Sequence, residues 1–292
     1  MKCDYLNIVD SDLELSLRYC YLSTNNPEGK DKTIVIIPGY LSDIEERYPL
    51  AQNLSKYYNA VIYEPRGYGK SSAPHIKGIY NIPAYAREMR AVFRALGLQD
   101  KKFAIFGSCL ATAPMHYYAS YLEENTPYPA AMIMASPAPK YREAGIFNYV
   151  GWLPNWILAG FERSVLTYLY YTRKKEERKN INYARRRFSE LDGWAQRRIA
   201  IETICKVNLV DKQSDIPLPL LILASTNDDF VDITETTKYL KRNPLSEQKF
   251  FEHDSHKFIE GREPEIAEAI HSFLSRKIWK EIAITVSSPK QK

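Results

Sequence analysis

Five short runs almost free of polar residues, TIVII (33–37), AVIY (60–63), KFAIF (102–106), AAMIMA (130–135) and LPLLILA (218–224), are separated along the chain by stretches of helical length. A strand that is apolar on both faces must be covered on both faces. Strands of this kind alternating with helices specify a mostly parallel sheet sandwiched between helical layers. The periodicity predicts a leading hairpin over 3–9 and 13–21, and a further strand over 248–252. Helices are expected over 44–58, 82–96, 233–240 and 264–279, with another after residue 109. The count comes to about eight strands.

The pattern is interrupted between residues 140 and 213. That segment has no strand signal, yet it carries 12 of the 37 aromatic residues and three of the four tryptophans. Its apolar residues fall at helical spacing, as in Ile181, Ala184, Phe188, Leu191 and Ala195. It also holds 15 Lys and Arg against 8 Asp and Glu, so the net +5 of the chain comes entirely from this block. The chain therefore reads as one α/β core in two parts, 1–139 and 214–292, with a helical cap (140–213) inserted after about the sixth strand.

A length of 292 residues with 45% apolar content is ample for one large core. A net charge of +5 does not by itself indicate nucleic acid. No run approaches the ~18 apolar residues of a membrane span, and the amino-terminal stretch lacks the apolar core of a leader peptide. Four scattered cysteines do not make a disulfide framework, so a reducing, cytoplasmic compartment is expected. Cys3 and Cys20 can nonetheless face each other across a hairpin turning at Ser11 and Asp12. No metal or cofactor is expected.

The stretch FAIFGSCLATAPMHYY (103–118) begins as a strand, breaks at Gly107 and resumes as a helix with two nucleophiles at the break. A sharp strand-to-helix turn holds a nucleophile above a sheet only if small residues flank it two positions away on each side. Gly107 and Ala111 supply them for Cys109, whereas Ser108 would have Phe106 and Leu110. Cys109 is the expected nucleophile. The stretches IVIIPGY (34–40), EPRGYGKS (64–71), LILASTNDDFVD (221–232) and EHDSHKF (252–258) follow in order. With the elbow, they make the chain resemble the α/β-hydrolase fold superfamily, in a capped form with cysteine in the elbow, from about residue 33 to 274. The resemblance places Pro38 where many members have His, Glu64 for Asp in the second loop, and Ser225 and Ser255 at glycine positions. It implies a triad of Cys109, Asp228 and His256, in the chain order this fold uses, with the backbone N–H groups of Tyr40 and Leu110 as oxyanion hole. Asp229 and Asp232 compete with Asp228 by position, and His253 competes with His256.

A thiol at a helix start beside an imidazole ionises more readily than a free one. Its acyl intermediate is a thioester, formed at near balance from another thioester and less favourably from an unactivated ester. The expected reaction is hydrolysis of a carboxylic ester or acyl thioester. One rival passes the acyl group from coenzyme A or an acyl carrier protein to an alcohol or amine. The other is a non-catalytic member of the fold that binds a ligand or partner. In the cap, Trp152 and Trp156 are candidates to line an acyl pocket, and Arg185 and Arg186 to meet phosphate or an acidic carrier.

Overall fold

The computed structural model describes residues 1–121, 126–137, 153–172, 178–208, 216–228, 234, 236, 246–252 and 256–279. Its centre is an eight-stranded sheet of β1 (Cys3–Asp10), β2 (Leu13–Leu22), β3 (Thr33–Ile37), β4 (Asn59–Tyr63), β5 (Phe103–Ser108), β6 (Ala131–Ala135), β7 (Leu220–Ser225) and β8 (Ser246–Phe251). The strand order is β1-β2-β4-β3-β5-β6-β7-β8. β2 alone runs against the rest, pairing antiparallel with both β1 and β4; from β4 across to β8 every pairing is parallel.

Residues in the central strands alternate between two separate cores. Val35 and Ile37 of β3, with Phe103 and Ile105 of β5, belong to one core, and Ile34, Ile36, Ala104 and Phe106 belong to the other. The first core is closed by α2 (Ile82–Ala95), through Met89, Val92 and Phe93, and by α3 (Thr112–Ser120), through Ala113, Met115 and Tyr118. The second is closed by α1 (Ile44–Leu54), through Ile44, Leu50 and Leu54, and by the last helix described (Glu263–Leu274), through Ile266, Ile270 and Phe273. The expected first helix is shorter than its periodicity suggested: Ser55 closes it with bonds to Ala51 and Asn53, and the chain turns into β4.

Between β6 and β7 lie α4 (Asn155–Thr172), α5 (Arg178–Glu190) and α6 (Gly193–Glu202), which makes the Glu263–Leu274 helix α7. The helical spacing that ran from Ile181 to Ala195 spans two helices. Asp192 breaks it by capping α6, its carboxylate accepting from the amide of Ala195 at 2.8 Å. Ala195 and Ile199 of α6 join the first core. The expected helix at 233–240 lies outside the described residues, apart from Thr234 and Thr236.

Ser11 and Asp12 both have positive φ, 49° and 67°, as a two-residue hairpin turn requires. That turn sets Cys3 opposite Cys20 in register, and the structure joins them as a disulfide. The expectation of a reduced chain is corrected: the two are directly cross-strand, and Cys109 and Cys205 are the cysteines outside a disulfide. Among the described residues, no helix is long and apolar enough to cross a membrane.

Candidate active site

The carboxyl ends of β3, β5, β7 and β8 meet on one side of the sheet, the side where open α/β sheets hold their ligands. Cys109 follows β5 directly. Its φ is 52°, a left-handed conformation that a non-glycine residue adopts only where the surrounding structure enforces it. The enforcement is local. A Cβ on Gly107 would lie 2.2 Å from the buried sulfur of Met115, so only glycine lets α3 pack this closely on the strand. Residues 109–111 make a 3-10 turn that leads into α3. Ser108 belongs to the strand; its hydroxyl is buried and makes no hydrogen bond among the described residues.

The turn after β3 lies against the elbow, where a Cβ on Gly39 would come within 3.2 Å of Cys109 Cβ. The amide of Ser42 donates to the Gly39 carbonyl at 3.0 Å, closing a turn with Tyr40 and Leu41 at its corners. Leu41 has φ 62°. Positive φ at that corner alone is the type II pattern, which ordinarily selects glycine or asparagine.

His256, after β8, brings Nδ1 to 2.8 and 2.9 Å from the two carboxylate oxygens of Asp228, after β7. The Asp228 side chain is 4% exposed and that of His256 17%. Burial works against a charge on the ring, but the negative sulfur of Cys109 and the hydrogen bonds to Asp228 and Cys109 outweigh it. The net effect raises the His256 pKa to about 10. The ring lies between the Cys109 sulfur and the Asp228 carboxylate, and both neighbours favour its charged form. Tyr68, buried beside the site, has its hydroxyl pKa pushed well up, first by burial and then by the charge on Cys109.

The structure thus brings Cys109, His256 and Asp228 together, beside the turn that carries Tyr40. The remaining sequence candidates are more dispersed. Arg185 donates to Thr167 Oγ1 at 2.7 Å and sits over the Tyr170 ring. Arg186 lies over the Tyr183 ring and 3.5 Å from Glu190. Trp156 is 77% exposed near the start of α4. Trp152, Asp229, Asp232, His253 and Ser255 lie outside the described residues.

Three side chains that the sequence did not single out tie the helical block to the site. Arg187 Nε donates to the Leu41 carbonyl at 2.7 Å, and its Nη2 pairs with Asp43 at 2.9 Å. The Tyr183 hydroxyl lies 2.6 Å from Glu46 Oε1 and 3.0 Å from the same Leu41 carbonyl, sharing its one proton between them. Gln196 donates to the Gly67 carbonyl, and its own main-chain oxygen accepts from the Tyr40 hydroxyl at 3.1 Å.

A sheet of this order with a strained elbow after β5 defines a class of α/β protein, and the sequence places the chain within it. Residues 32–262 match the model of the alpha/beta hydrolase fold, and the chain belongs to that family. No curated protein matches it in sequence. Among solved structures it is similar to a bromoperoxidase from Bacillus anthracis, with 15% identity, a TM-score of 0.72, and coverage of 93% of this chain and 100% of the other. An enol-lactonase from Burkholderia xenovorans LB400 has 17% identity and a TM-score of 0.68, over 90% of this chain and 97% of that one. An esterase from Exiguobacterium antarcticum has 16% identity and a TM-score of 0.69, over 92% and 98%. At such identities the likeness is one of fold.

Proposed function

We propose that the protein is a hydrolase that cleaves a carboxylic ester or thioester through an acyl-cysteine intermediate on Cys109. One observation carries the reading: His256 is hydrogen-bonded to both Asp228 and the elbow cysteine. The Cys109 sulfur attacks the substrate carbonyl, and the negative oxygen that develops is met by the backbone N–H groups of Tyr40 and Leu110, a contribution of about 3 kcal/mol per donor in comparable sites. The carbonyl re-forms as the bond to the leaving group breaks, and the imidazolium of His256 gives that group its proton. In the second half, neutral His256 takes a proton from water as the oxygen attacks the thioester. Thiolate leaves, free acid is released, and the resting ion pair returns. Asp228 keeps the ring oriented and stabilises its charge throughout.

The esterase and enol-lactonase among the structural neighbours support ester chemistry. The thiol nucleophile favours thioesters and activated esters over plain ones. Transfer of the acyl group to an amine, from coenzyme A or an acyl carrier protein, uses the same intermediate. In this reading, residues 140–213 act as a cap over the site; Arg185 and Arg186 are engaged within the helical block and Trp156 faces outward, so none of the three supports a substrate contact. A reactive thiolate is preserved in a reducing compartment, which supports a cytoplasmic location, while the Cys3–Cys20 disulfide argues the other way. Intact-protein mass spectrometry after mixing with p-nitrophenyl esters and acyl thioesters tests the proposal. An acyl adduct that maps to Cys109 is expected, and its absence under turnover removes the acyl-cysteine.

A further inference from the structure

Residue 41 is an odd place for a leucine. Left-handed backbone costs an L-residue with a Cβ on the order of 1 kcal/mol, and a leucine side chain offers no polar group to offset it. The conformation has to be held from outside, and the only side chains described as reaching the Leu41 carbonyl come from α5: Arg187 Nε at 2.7 Å and the Tyr183 hydroxyl at 3.0 Å. Arg187 is 6% exposed. It spans from that carbonyl to Asp43, which caps α1 by accepting from the amide of Glu46 at 3.0 Å. The chain is therefore held by its main chain at the αL corner and by a side chain two residues later. On its other side, Tyr183 receives Lys257, the neighbour of His256, with Nζ 3.3 Å from the ring centroid. One helix turn of α5 thus touches the loop after β3 and the loop that carries His256.

We infer that Arg187 and Tyr183 are positioning residues, which hold Leu41 in its left-handed conformation and so aim the Tyr40 amide at the substrate oxygen. The inference rests on the acyl-cysteine reading for its catalytic consequence but not for its structural one. If the carbonyl of Leu41 is released, the turn relaxes toward the ordinary negative φ of a leucine. The peptide groups on either side of Tyr40 then rotate away from Cys109. Docking of the helical block and assembly of the oxyanion hole are one event. The basic run RRR (185–187) accordingly divides: Arg187 faces inward to the turn, while Arg185 and Arg186 serve contacts within α4 and α5.

The test combines hydrogen exchange with kinetics on Arg187→Ala, Leu41→Gly and their double variant. In Arg187→Ala, the amides of residues 39–43 should exchange at least about tenfold faster than in the native chain, a result independent of any substrate. With p-nitrophenyl acetate, kcat should fall about tenfold or more while KM stays within about threefold, since a displaced oxyanion donor acts in the transition state. Iodoacetamide alkylation of Cys109 should keep its rate, because the thiolate and its imidazolium are untouched. Glycine at 41 adopts the left-handed corner at no steric cost, so Leu41→Gly added to Arg187→Ala should recover several-fold in kcat. Unchanged exchange at 39–43, or a loss that Leu41→Gly does not recover, overturns the inference. If Arg187→Ala does not fold, Tyr183→Phe and Arg187→Lys, which keep the ring and the charge, must show the same effects in smaller measure or the inference falls. Full turnover in Cys109→Ala would instead sink the acyl-cysteine and leave the exchange result standing.

Discussion

Asp228 and His256 are 28 positions apart in sequence and 2.8 Å apart in space, joined at the ends of the last two strands of the sheet. The carboxylate fixes which ring nitrogen faces Cys109, and it shares in holding the His256 pKa near 10. A histidine in the unfolded chain titrates near 6.5. The folded value is the higher one, so this group's contribution to stability is complete below about pH 6.5 and is lost as pH rises toward 10. Unfolding by urea, measured from pH 6.5 to 10, should show stability falling over that window. His256→Gln should lack that component of the slope, and an unchanged slope would mean the ring is not charged in the folded protein.

The four cysteines should separate cleanly by reactivity. Cys109 is hydrogen-bonded to His256, whereas burial pushes the Cys205 thiol up to about 11. Near neutral pH, iodoacetamide should label Cys109 far faster than Cys205 in the folded protein, by peptide mapping. Unfolding without reductant should give two labels per chain for the bridged form of Cys3 and Cys20, and four after reduction.

Cys109→Ala and His256→Ala should each lower turnover by about 10³-fold or more with the far-ultraviolet spectrum unchanged, and Asp228→Asn should cost less than either. Activity that survives in His256→Ala but disappears in His253→Ala would transfer the base to the other histidine.

Arg66 is 1% exposed at its side chain and bridges two buried carboxylates, Glu88 at 2.8 Å and Asp10 at 2.5 Å. Removing it strands Glu88, whereas Asp10 keeps Arg87 at 2.9 Å. Arg66→Leu should lower the unfolding free energy by about 3–5 kcal/mol, and adding Glu88→Leu should restore part of that loss. A double variant less stable than the single one would show that the pair is not the source of the cost.

The parts of the structure that repeat a local rule were legible in the sequence. The apolar runs that became β3 through β7 had no alternative to burial on both faces. The Ser11–Asp12 turn fixed the hairpin register, and the elbow followed from the small residues at 107 and 111. What joins α5 to the turn after β3 was not legible. A guanidinium donating to a main-chain carbonyl 146 positions away leaves no periodicity, and an RRR run on a helix reads as a solvated face. A glycine at 41 would have advertised the left-handed corner; a leucine concealed it. The cysteine pair shows the intermediate case, since register follows from the turn but oxidation does not.

The backbone at Cys109 has a consequence for descent. Its left-handed φ is imposed by Gly107, Met115 and the 3-10 turn, and none of these contacts involves the sulfur. Serine fits the same frame with one atom exchanged, and the two residues are a single nucleotide apart in the genetic code. A lineage carrying this elbow can therefore pass between a thiol and a hydroxyl at this position in one mutational step, with the backbone of the turn unaltered and only the chemistry of that one atom exposed to selection.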